Sequence, residues 1–156
     1  MPTPTLWTEQ HTLGPVPIPE SPEFSRADLE IYGIDHFCPS YTARVFINAS
    51  APSSGELTAD HESYAGSFSI FGHQRCSGDE GHCTVHDHLR RFDDRPSHPL
   101  TRAFKRVVIT DALRRVQDAG SATLTLTLTL VITALAEEPI KEPLFDCQGA
   151  QITTFD

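Results

Sequence analysis

The sequence predicts an all-β protein: a single antiparallel β-sandwich with one short helix and a Pro-rich N-terminal arm. Three observations carry this. Residues 121–133 read SATLTLTLTLVIT, which sets Leu124, Leu126, Leu128, Leu130 and Ile132 against Thr123, Thr125, Thr127 and Thr129 with the two-residue period of a half-buried strand. Several other stretches alternate in the same way, and their connections are irregular and rich in Gly, Pro, Ser and Asp. A helix signal occurs once, over 112–118. Alternating strands with irregular connections and a single short helix favour a sandwich over an α/β arrangement.

Residues 1–24 carry six of the twelve prolines, including Pro15, Pro17, Pro19 and Pro22. Proline blocks helix and removes ladder donors from a strand, so this segment is expected to be an extended arm. Two uses suit it: a strap across its own domain anchored by Leu6, Trp7 and Phe24, or a polyproline II ligand for a partner's aromatic groove. The sandwich is expected over 25–135. Its first strand alternates Leu29, Ile31 and Gly33 with Glu30 and Tyr32. A second, 41–48, places Tyr41, Ala43, Val45 and Ile47 on one face. Residues 49–60 are loop by composition, and 64–72 (YAGSFSIFG) form a third strand. Gly, Asp, His and Pro then dominate until about residue 100, a long excursion of the kind that usually serves function. Residues 104–110 form a strand whose end offers Thr110 or Asp111 as N-cap for the helix, with Gly120 as its stop. In the 121–133 strand, Leu124, Leu126, Leu128, Leu130 and Ile132 are expected to face a core with Val45, Ile47, Phe68 and Ile70. Residues 136–156 are expected to form a C-terminal tail.

A chain of 156 residues suits one domain with a single core. Lys and Arg number 12 against 21 Asp and Glu, and a net charge of −9 repels phosphate backbones and anionic headgroups, so neither nucleic acid nor a membrane is an expected partner. No apolar run approaches the ~18 residues that a spanning helix needs. The opening MPTPTLWTEQHTLG has no basic n-region or apolar h-region, so a cytoplasmic location is expected, with export only alongside a partner. The sole Met is the first residue, which leaves His, Cys and carboxylate as the metal-binding side chains.

Residues 73–88 hold four of the eight histidines and two of the four cysteines. Imidazole and thiolate are the donors that Zn and Cu prefer, and His82, Cys83, His86 and His88 lie close enough in sequence for a turn or strand to converge them. They are the candidate metal ligands. Six residues separate Cys76 from Cys83, a spacing outside the usual zinc patterns, so a loop stapled by a Cys76–Cys83 disulfide is the competing reading. A Cys/His nucleophile is suggested by Asp35, His36 and Cys38, but no oxyanion-hole signal accompanies them and a structural role is favoured. No GxSxG, Walker loop or GxGxxG is present, and Asp79-Glu80, Asp93-Asp94 and Glu137-Glu138 read as solvated faces. No catalytic residue is assigned.

Residues 29–34, 41–48, 64–73 (YAGSFSIFGH), Gly81-His82-Cys83, Arg91-Phe92-Asp93, 105–112 and the Leu-Thr strand together resemble the C-terminal β-sandwich domain of bacterial tyrosinase-family polyphenol oxidases, related in role to the C-terminal domain of haemocyanins. The resemblance covers roughly residues 27–134. It implies a domain that packs over a helical domain holding two coppers through six histidines, and that shields or gates that site. The copper domain itself has no counterpart here, since one His82-x-x-x-His86 pair does not supply two three-histidine sites.

The expectation is therefore a non-catalytic accessory or regulatory subunit that docks on a tyrosinase-like type-3 copper oxidase and assists its folding, shielding or metallation. It needs no cofactor of its own; copper enters directly or through the partner. The alternatives are a caddie-type copper carrier using the 73–88 loop and an enzyme with a mononuclear metal site.

Overall fold

The computed structural model describes residues 3–20, 23–48, 57–73, 102–119, 125–136, 140 and 143–156. They form two antiparallel sheets and one helix, an all-β sandwich. In chain order the elements are β1 (Thr5–Pro17), β2 (Arg26–Ile34), β3 (Tyr41–Ile47), β4 (Tyr64–Ile70), β5 (Ala103–Val108), α1 (Thr110–Asp118), β6 (Thr125–Ala136) and β7 (Gly149–Phe155). One sheet has the order β1-β6-β3-β4, the other β5-β2-β7. The two meet along β4 and β5 on one side and along β1 and β7 on the other.

β6 is the centre of the larger sheet, and its register explains the Leu-Thr pattern. Leu128 lies opposite Leu13 and Ile47, Leu130 opposite His11 and Val45, and Ile132 opposite Glu9 and Ala43. Leu126, Leu128, Leu130 and Ile132 are fully buried, and Val45, Ile47, Phe68 and Ile70 share their core, as the pattern predicts. Leu124 lies outside the described residues. The opposite face is divided. Thr125 and Thr127 are exposed, whereas Thr129 and Val131 are buried under a second, smaller cluster with Phe46, Leu57 and Tyr64, contributed by the turn before β4. The outer face is thus roofed in its middle, near Phe46, and open toward both ends.

Two segments lie inside the sheets rather than beside them. Residues 5–17, expected as an arm, form an edge strand along almost the whole of β6, with a bulge between Leu13 and Val16 that absorbs Gly14 and Pro15. An edge strand tolerates proline because its outward N–H groups have no partner to lose. Leu6 is exposed and Trp7 borders on it, so neither is a buried anchor; Phe24 packs against the core. The segment expected as a tail supplies β7 and the buried Leu144 and Phe145.

α1 begins one residue earlier than the cap signal suggests. Ile109 occupies the N-cap and gives no side-chain cap, while the Thr110 hydroxyl accepts the Ala27 backbone N–H at 3.0 Å, tying the helix start to β2 instead of closing the helix. Ala112 and Leu113 face the core, and Arg115 donates to the Tyr64 carbonyl at 2.8 Å. Gly120 lies outside the described residues. No helix among the described residues is long and apolar enough to cross a membrane.

Candidate functional site

Several elements end together at one edge of the larger sheet: the start of β1, the end of β6, the start of β3, the end of β4 and the 35–40 connection. On the outer face there, beyond the roofed cluster, lies an open groove of about 730 Å³. Its floor carries Thr42, Ser69 and Thr133, with the Thr42 and Ser69 hydroxyls 3.0 Å apart. Its walls are mostly apolar, with Ser40 and Arg44 also on the lining. Leu6 and Leu135 are cross-strand partners, 63% and 65% exposed, and Phe71 is 77% exposed. Burying such side chains gains about 1.5–3 kcal/mol each, so three of them left in water at one edge form a surface suited to a partner.

Beside the groove, the 35–40 connection and residues 71–73 are locked together. Gly72 makes this possible: a Cβ there would collide with the Cys38 carbonyl oxygen, so only glycine lets the end of β4 lie on that backbone. The Gly72 N–H donates to Ser40 Oγ at 3.0 Å and the His73 N–H donates to the His36 carbonyl at 2.7 Å. Asp35 Oδ1 accepts the Phe37 N–H at 2.9 Å and shapes the turn. The outcome is an edge-to-face pair of imidazoles, His36 and His73, with ring centroids 4.8 Å apart. Phe37 flanks the pair at 5.4 Å from His36, and Phe71 at 5.4 Å from His73. His36 is only 8% exposed; its Nε2 and the Nδ1 of His73 are buried and have no hydrogen-bond partner among the described residues.

Cys38 is not an activated nucleophile. Burial, with the nearby charges of Asp35 and Glu9, pushes its thiol up to about 11, and burial likewise raises Cys147. Both are unpaired thiols. The Tyr41 hydroxyl is raised too, chiefly by burial. The raised thiol keeps Cys38 in its neutral, weakly nucleophilic form near pH 7.

The smaller sheet carries a carboxylate pair, Asp28 and Glu30, that the sequence reading did not single out. Asp28 and Glu30 are both buried. Arg26 makes a two-pronged ion pair with Asp28 at 2.7 and 2.9 Å, and Glu30 accepts from Arg106, Gln151 and Thr153 at 2.8, 2.7 and 3.0 Å. The Gln151 hydrogen bond, then that of Arg106, holds the Glu30 carboxyl below the usual carboxylate range. With their acceptor sites occupied, these carboxylates brace β2 to β5 and β7 and are not poised for acid-base work.

The candidate metal ligands His82, Cys83, His86 and His88, and the candidate disulfide Cys76–Cys83, lie outside the described residues. Among the described residues, no three or more His, Cys, Asp or Glu side chains gather as a metal site. Sequence reasoning placed His36 with Cys38 and His73 with the downstream histidines. It missed their pairing, for which the signal available was the Phe71-Gly72-His73 run after a strand, a glycine placed where backbones approach closely. Compared with known proteins, the chain matches no family model and no curated protein.

Proposed function

We propose that the protein is a non-catalytic accessory or regulatory subunit that docks on a tyrosinase-like type-3 copper oxidase and assists its folding, shielding or metallation. The observation that carries this reading is the open groove walled by Leu6, Leu135 and Phe71, an apolar and aromatic-bearing surface at the end of a rigid sheet. The motif 64–73 that resembles the oxidase C-terminal domain forms β4 and the turn beside this groove, so the resembling residues and the candidate docking surface coincide in space. In a fused oxidase the covering domain is held in place by the chain; a free subunit must supply its own apolar contact. The net charge of −9 fits a protein partner better than a polyanion. In this reading the subunit works in the cytoplasm, and the unpaired thiols of Cys38 and Cys147 suit a reducing compartment.

Co-expression with a tyrosinase-like type-3 copper oxidase tests the reading. The expected result is a co-purifying complex whose copper content exceeds that of the oxidase made alone, and loss of that complex on Leu6→Asp with Leu135→Asp. An oxidase that folds, loads copper and turns over identically without this chain, with no complex formed, would overturn it.

A further inference from the structure

We propose that β1 is a self-association edge. Two copies of this chain pair β1 to β1, antiparallel about a two-fold axis at Gln10, and their four-stranded sheets become one continuous sheet. This goes beyond the docking reading and stands or falls without it.

β1 is an outermost strand of the larger sheet, and among the described residues its backbone bonds only to β6. Alternate residues of a strand turn their N–H and C=O groups to opposite sides, so half of those in β1 point away from β6 and are free to take another strand. Natural edges are blunted by lysine, by proline or by a bulge. None of these falls between Thr5 and Leu13: Pro4 precedes the stretch, and the bulge with Gly14 and Pro15 follows it. Every side chain of the stretch is exposed or half-buried, so the edge is open along its length.

The order of side chains selects a second copy as the occupant. A two-fold axis along the sheet normal keeps each side chain on its own face, so only residues of the same face of β1 come opposite each other. With Gln10 on the axis, Trp7 lies opposite Leu13 of the second copy, Thr8 opposite its Thr12 and Glu9 opposite its His11, and each pair occurs twice. An apolar pair with an aromatic member, a Thr–Thr pair and a carboxylate facing an imidazole are all favourable cross-strand combinations. Glu9 and His11 already turn to the same side of the sheet. Glu9 accepts the Leu144 N–H at 3.1 Å, which leaves lone pairs for a second donor, and His11 lies edge-on to Phe145 with ring centroids 5.1 Å apart. The neighbouring registers are worse. Glu9 on the axis sets two carboxylates against each other, and His11 on the axis runs Trp7 and Thr8 into the bulge at Gly14 and Pro15. A foreign strand would need this pattern by coincidence, whereas a second copy has it by symmetry. The seam is short against a standard interface of about 800 Å² per partner, so the dimer is expected to dissociate on dilution.

Sedimentation velocity of the full chain in reductant, from micromolar to millimolar concentration, tests the proposal and is expected to show a reversible monomer–dimer equilibrium. A first variant, Thr8→Lys with Thr12→Lys, sets like charges opposite each other across the seam and is expected to weaken association about tenfold or more. A second, Thr8→Lys with Thr12→Glu, sets opposite charges there in the same register and is expected to restore it. Both positions are exposed in the single chain, and circular dichroism checks each variant for the native strand signature. Net charge alone predicts the reverse order, since the first variant moves the chain from −9 toward zero and the second does not. A chain that stays monomeric over the whole range would overturn the proposal. So would association that withstands the first variant, or a second variant that associates no better than the first.

Discussion

Ile47 of β3 and Leu128 of β6 are register partners with both side chains buried, while Thr127, the next residue along β6, is exposed. Thr127 is held through its backbone, whose N–H and carbonyl both bond Asn48. Leu128→Ala is therefore expected to cost roughly 2–5 kcal/mol through lost burial and the cavity left behind. Thr127→Ala should stay within about 0.5 kcal/mol. Urea titrations of the two variants against the parent measure the difference; equal losses would mean that the exposed face is covered in solution.

Gly72→Ala tests the close approach that joins β4 to the 35–40 connection. The added Cβ meets the Cys38 carbonyl, which is backbone and has little room to give. A loss of about 1–3 kcal/mol is expected, as for other overpacked sites. The His36 and His73 ring signals should shift with it, whereas Ser69→Ala on the exposed face of β4 should leave both unchanged.

Glu30 makes stability depend on pH in one direction. Its carboxyl titrates lower in the folded chain than in the unfolded one, so its contribution is complete above the unfolded value near 4.3 and is lost as pH falls through the folded value. Glu30→Gln is expected to destabilise by about 1–3 kcal/mol at pH 7, because Arg106 loses a charged acceptor. That cost should shrink when the same denaturation is repeated near pH 3; a constant difference across the range would show that the charge of Glu30 contributes nothing.

Cys38 carries the opposite sign. Its thiol is raised on folding to about 11, so the fold favours the neutral form below the ordinary thiol value and loses that preference as pH rises toward 11. At pH 8 the folded chain should alkylate at Cys38 with iodoacetamide at least tenfold more slowly than the urea-unfolded chain, read by peptide mass mapping. Equal rates would place the thiol in contact with water.

The core side of β6 could be read directly because every second residue is aliphatic and a one-residue slip would expose all of them. β7 could not, since Ile152 is its only buried aliphatic side chain and its place comes from pairing with β2. β1 was hidden by Pro15 and Pro17, whose cost vanishes on an edge strand with a bulge. The burial of Asp28 and Glu30 was not legible, because alternation reports which face a side chain takes, not whether Arg26 of the same strand and Arg106 of β5 will cover it. The His36–His73 pair joins residues 37 positions apart through backbone contacts at Gly72, and no local period encodes such a meeting.

The smaller sheet also sets an order of events for synthesis. β2, its central strand, finds its neighbours only at residues 103–108 and 149–155, so one hydrogen-bonding edge of 26–34 stays open until the first of these segments is made and the other until the second leaves the ribosome. Pairing over such sequence distances is slow, because the loop must close before any contact rewards it. Until then Leu29 and Ile31 travel on an unpaired strand, the kind of edge that other chains can join. The nascent protein is thus most exposed to aggregation in the interval before residues 149–155 emerge, and a chaperone that shields β2 would act in that window.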